Sequence, residues 1–171
     1  MINNKNILLL IFSGLLSAFS FAQESITIQD AEEIRFKSEN LIKRELKDLL
    51  NNLSNSSIEL KETQEVILNS YSGERNRIFL SAKVLVEDDI NPGFHSSNNT
   101  RDVEVDKYLK DFDLLYKKSD GPSVIINVVK VSNVKRSNSL YVKVYFSSFF
   151  RNPNTTSDTA YTLNNRMAEI S

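Results

Sequence analysis

The 171-residue sequence has no cysteine, one histidine, four glycines and three prolines. Each shortage excludes something. Without cysteine the chain cannot be a disulfide scaffold, and no cysteine beside a leader can carry a lipid anchor. With His95 as the sole histidine, a zinc centre of three or four convergent histidine or cysteine ligands is excluded. His95 stands among Gly93, Phe94, Ser96 and Ser97, the surroundings of a solvated loop residue and not of the carboxylate-held histidine of a serine triad. Beyond the first 22 residues the glycines are Gly73, Gly93 and Gly121, each isolated. That spacing excludes a P-loop and a dinucleotide fingerprint, and neither GERNR nor GPSVI matches a nucleophile elbow. No catalytic constellation, metal site or cofactor cradle emerges, so a non-enzymatic protein is expected.

Long apolar runs are equally scarce. The main one, Ile7 to Phe19, follows Lys5 and the amino terminus and leads into Ser20-Phe21-Ala22. Small residues three and one before a cut, behind a short apolar stretch, read as a secretory signal over residues 1–22. A membrane span would need about 20 apolar residues. Removing 22 of the 171 residues leaves 149, beginning at Gln23, as one domain over 23–171. No later run approaches membrane length, so no integral membrane segment is expected after cleavage. A chain of about 150 residues buries about 68–70% of its unfolded surface, enough for a core without staples. The leader and the lack of cysteine together suit a Gram-negative export product, periplasmic or secreted.

Charge is nearly balanced overall but not along the chain. Residues 23–120 hold 20 acids and 14 bases, whereas residues 121–171 hold Asp158 and Glu169 against six bases. Between Asp120 and Asp158 there is no acid. Such asymmetry signals either an anionic partner or a basic sheet packed beside acidic helices of the same chain.

Hydrophobic periodicity orders the elements. Asp30 looks like an N-cap with Glu33 three residues on. Behind it Ile34, Leu41, Ile42, Leu46, Leu49, Leu50 and Leu53 recur at helical spacing, predicting a helix over 30–53. Opposite-charge pairs such as Glu33–Lys37 and Glu39–Lys43 decorate its outer face, each worth about 0.2–0.5 kcal/mol. After the polar break NNLSNSS a second helix is expected over 58–71, stopping at Gly73. Ile78 to Val86 has strand composition. Val105, Tyr108, Leu109, Phe112, Leu115 and Tyr116 form an amphipathic helical stripe that ends at Ser119-Asp120-Gly121-Pro122. From Val124 the period becomes strand-like: a strand to Lys135, a loop at 136–139, a strand over 140–151 and a last strand over 160–170. The fold class is therefore α+β: two N-terminal helices, one strand, a third helix, then an antiparallel meander.

That order resembles the α+β cone of the nuclear-transport-factor-like, or cystatin-like, superfamily. The helix at 30–53, the helix at 105–117 and the hairpin 124–151 carry the resemblance, which covers most of the chain after residue 22 and rests on element order without a specific motif. It implies a curved sheet, and a protein that binds small ligands in the cone, dimerises through the sheet, or catalyses isomerase, dehydratase or cyclase reactions. Such folds usually add another strand after the one expected at 160–170, so that strand would be an exposed edge or the sheet would be completed elsewhere.

Two constellations merit attention. Glu87-Asp88-Asp89 is the densest acidic cluster, without the EF-hand pattern; a carboxylate there could serve a pocket, but three consecutive acids are expected to lie in water. The other is LYVKVYFSSFFR, residues 140–151. Alternation sends Leu140, Val142, Val144, Phe146 and Phe150 to one face, and Tyr141, Lys143, Tyr145, Phe149 and Arg151 to the other. Aromatic residues interleaved with cations suit a protein interface, as in a homodimer or with an envelope protein, or an anionic or glycan ligand. A helix or lead-in segment covering that face is the structural alternative. Nucleic acid would suit the chemistry but not an exported protein. The function expected is an exported binding domain that docks a partner or itself through the 140–151 face. The alternative is a small-ligand or isomerase-like cone protein with a pocket between sheet and helices.

Overall fold

The computed structural model describes residues 26–74, 77–92 and 101–171. The leader expected over residues 1–22 and His95 lie outside them. The fold is α+β, as the periodicity indicated. Helix α1 (Ile28–Asn40) continues through a wider π-helical segment, Leu41–Leu46, into α2 (Lys47–Leu53), and α3 is Leu60–Ser72. A short pair follows, β1 (Leu85–Glu87) with β2 (Asp102–Glu104), then α4 (Val105–Leu115). The main sheet holds β3 (Val124–Val131), β4 (Lys135–Arg136), β5 (Leu140–Phe150) and β6 (Asn164–Ile170). β5 is central: β3 and β4 pair along one side of it and β6 along the other, all antiparallel.

Two local expectations are corrected. The first helix starts at Ile28, because Thr27 and not Asp30 is its cap: the Thr27 hydroxyl accepts from the Asp30 N–H at 3.1 Å while the Asp30 carboxylate accepts from Thr27. The capping box is the expected device moved three residues, with the acid as its reciprocal partner. The strand expected over 78–86 shrinks to Leu85–Glu87. The N–H groups of Ile78 and Phe79 donate instead to the Ser70 carbonyl, at 2.7 and 2.9 Å. The end of α3 offers carbonyls without helical partners, and the following chain satisfies one of them before any strand begins.

The core lies between the helices and one face of the sheet. Ile42, Leu49, Leu50 and Leu53 from the first helical stretch meet Leu109, Phe112 and Tyr116, and Val142, Val144, Phe146 and Phe150 from β5. These are the apolar positions that helical and strand periodicity selected. Asn51 stitches helix to sheet: its Oδ1 accepts from the N–H groups of Ser123 and Val124, both at 2.9 Å, and its Nδ2 donates to the carbonyl of Val124 at 3.1 Å. Truncating it would leave buried backbone groups unpaired. Asn51→Ala is therefore expected to cost about 2 kcal/mol in urea unfolding, and Asn52→Ala, exposed one residue away, less than about 0.5 kcal/mol. Equal effects at the two positions would remove Asn51 as the link.

Candidate functional site: an open sheet face over a closed interior

The stripe on β5 keeps its expected orientation. Register places Ile125 opposite Phe149, Asn127 opposite Ser147 and Lys130 opposite Tyr145 on the β3 side. On the β6 side Lys143, Tyr145 and Ser147 face Glu169, Met167 and Asn165. Asn127, Lys130, Asn165, Met167 and Glu169 are exposed, as is Tyr145 at 40%, whereas Ser147 on the same face is buried and α1 flanks the face at Lys130. The stripe is uneven, however. Tyr141, Lys143 and Phe149 are half-buried and Arg151 is exposed. The Lys143 ammonium lies 3.7 Å from a Glu169 carboxylate oxygen, so one of its two cations is answered within the sheet. Tyr145 and Met167 (48% exposed) form the apolar centre, where a partner would gain most from removing surface from water.

Behind β5 aromatic rings pack together, while a hollow of about 520 Å³ opens between α2 and β3, lined by Lys47, Asp48, Asn51, Val124 and Asn127. Phe112 stacks on Tyr116 with ring centroids 4.8 Å apart, and both meet Phe150 edge-on at 5.6 and 5.7 Å. Tyr161 closes the cluster at 5.5 Å from Phe150. The one polar atom of Tyr116 is satisfied, donating to the Ser123 carbonyl at 3.2 Å and accepting from the Asn152 N–H at 3.0 Å. A ligand-binding cone would need room where these four rings pack.

The acidic run holds the chief surprise. Asp88 and Asp89 are only 5% and 6% exposed, which corrects the expectation that they lie in water. Asp89 accepts from the guanidinium of Arg166 at 3.1 Å and from the Tyr108 hydroxyl at 2.9 Å, and Asn164 donates to it at 3.3 Å. Arg166 also donates to the Glu87 carbonyl at 3.1 Å and sits 5.5 Å from the Tyr108 ring centre. Burial, reinforced by the charge of Asp89, pushes the Tyr108 phenol up, so it stays protonated. Burial works against the Arg166 cation, but Tyr108 and Asp89 together outweigh it and hold the group above its usual range. The charges of Asp89 and Arg166 each have fixed partners, which makes the pair a strut joining α4, β6 and the 87–91 turn. Asp88 caps that turn, its Oδ1 accepting from the N–H groups of Ile90 and Asn91, while Oδ2 is buried without a hydrogen-bond partner among the described residues.

Sequence reasoning found the acids but not their burial, because the deciding partner, Arg166, is 77 residues away. The opposite signs of the two chain segments were the one hint. Arg166 does bring a cation of the basic segment onto an acid of the acidic one. Among the described residues no group of histidine, cysteine, aspartate and glutamate could hold a metal ion, and no described helix is long and apolar enough to cross a membrane. No family model matches the chain, and it matches neither a curated protein nor a solved structure.

Proposed function

We propose that this chain is an exported, non-enzymatic interaction domain that binds a protein partner, or itself, through the open face of its main sheet around residues 140–151. One observation carries the proposal: this face has an aromatic and apolar centre, Tyr145 and Met167, flanked by Lys130 and by the half-buried Phe149. Tyrosine and methionine at the middle of a patch with charged residues at its rim is the composition of a protein interface. Export rests on the leader pattern of residues 1–22. Element order keeps the cone superfamily as the frame for the fold, but the packed rings of Phe112, Tyr116, Phe150 and Tyr161 favour binding at the outer face over a ligand within.

Sedimentation and pull-down with the full chain test the proposal. The wild-type protein is expected to self-associate or to retain a partner, and Tyr145→Glu to weaken that association at least tenfold while changing folding stability by less than about 0.5 kcal/mol, the usual limit for surface substitutions. A wild-type protein that stays monomeric and recovers no partner would overturn it.

A further inference from the structure

The two outer edges of the main sheet are treated differently. On β3 the Asn51 side chain occupies the backbone groups of Val124 and the N–H of Ser123. Further along, the register with β5 breaks between Val128 and Lys130, an irregularity of the kind that twists an edge away from pairing. Glu32, Arg35, Phe36 and Glu39 of α1 also flank residues 128–131. On β6 the helical stretch flanks the last residue, Ile170, but neither the side-chain cap nor the register break is present. Its register with β5 runs unbroken from Val142–Ile170 to Ser148–Asn164, it contains no proline, and no backbone group of another described element bonds to its outer side. Its inward charge, Arg166, is neutralised by Asp89 beneath the sheet. Its outward charge, Glu169, faces Lys143. A strand of seven residues whose outer peptide groups have no backbone partner among the described residues is a template for another strand.

We infer that the occupant is a second copy of this chain, with β6 pairing antiparallel to β6 of its partner about a two-fold axis through Met167. The pairing runs along the β6 edge and leaves the face around Tyr145 open, so it goes beyond the interaction proposed above. The register follows from the side chains. A two-fold perpendicular to the sheet keeps each residue on its own face and sets residue i opposite its mirror position in the strand. Centred on Met167, it pairs all seven residues: Met167 with itself, Arg166 with Ala168, Asn165 with Glu169 and Asn164 with Ile170. No like charges meet. Moving the centre to Arg166 sets two guanidinium groups against each other, and moving it to Glu169 does the same with two carboxylates, both destabilising across strands. Centring on Ala168 sets Met167 against a carboxylate. In the Met167 register the exposed Tyr145 and Met167 run on into the same pair of the second copy, and the apolar centre of the open face doubles in length.

The cysteine-free chain allows a direct test. Directly opposed residues of antiparallel strands have Cα atoms about 4.5–5.5 Å apart, within disulfide reach. Under mild oxidation Met167→Cys is expected to form a disulfide-linked dimer at least tenfold faster than Asn165→Cys or Glu169→Cys alone. In each of those the two copies of the introduced thiol are offset by about 13 Å along the strands. Mixing the Asn165→Cys and Glu169→Cys proteins is expected to restore rapid cross-linking between them, a second route that leaves Met167 in place. Equal rates for all single variants, or no cross-linking by Met167→Cys or by the mixture, would overturn the pairing. A dimer that Tyr145→Glu dissolves but that neither Met167→Cys nor the mixture captures would also overturn it, while leaving the sheet-face interaction standing.

Discussion

Replacing Arg166 by alanine is expected to lower folding stability by about 3–5 kcal/mol, the largest effect of any charged residue discussed. The cost comes from what remains rather than from what is lost. Asp89 would stay nine-tenths buried with only Tyr108 and Asn164 to answer its charge, and an uncompensated buried carboxylate is far more expensive than a deleted surface pair. For a domain of this size such a loss corresponds to a midpoint lower by on the order of 10 °C. Removing both charges, as in Asp89→Asn with Arg166→Met, is expected to recover more than half of the loss, because a neutral pair of similar volume leaves no ion in the interior. Thermal and urea unfolding of Arg166→Ala and of the double variant decide the matter. A loss below about 1 kcal/mol for Arg166→Ala would show that the cluster is not the strut described.

A comparable loss, again about 3–5 kcal/mol, is expected when Phe112 becomes alanine. Phe112 is fully buried and touches Tyr116 and Phe150 at centroid distances of 4.8 and 5.6 Å. Truncation removes both its transfer from water and its contacts with two rings that cannot collapse freely, since the Tyr116 hydroxyl is pinned at Ser123 and Asn152. Phe36, on α1 and largely exposed, serves as the comparison. Its truncation is expected to change stability by less than about 0.5 kcal/mol. The contrast also bears on function. A small effect at Phe112 would mean that the space between helices and sheet is not tightly packed, which would return the small-ligand alternative to consideration.

Much of the fold was legible because its signals are local. Helical spacing over Ile34–Leu53 and Val105–Tyr116 marks the buried faces, and alternation over 140–150 separates the buried Val142, Val144, Phe146 and Phe150 from the exposed Tyr145. Where local signals compete, boundaries moved. The cap expected at Asp30 lies at Thr27, with Asp30 as its reciprocal partner. Ile78 and Phe79 have strand composition, yet the carbonyl at the end of α3 captures their N–H groups. Ser148, which interrupts the apolar face of β5, is buried all the same. Position in the central strand buries it whatever its polarity.

By itself, then, the sequence determined the α+β class, the element order, the core face of β5 and the aromatic and basic character of its other face, since each follows from periods of 3.6 or 2 within short windows. Tertiary structure decided three things that no window contains. It buried Asp88 and Asp89 by bringing Arg166 and Tyr108 to the 87–91 turn. It packed together behind β5 the rings drawn from α4, β5 and the loop before β6. And it left the outer backbone of β6 without a backbone partner among the described residues while Asn51 holds that of β3. The physical reason is common to all three: burial, pairing and edge exposure depend on which distant segments meet, and only the folded chain brings those segments together.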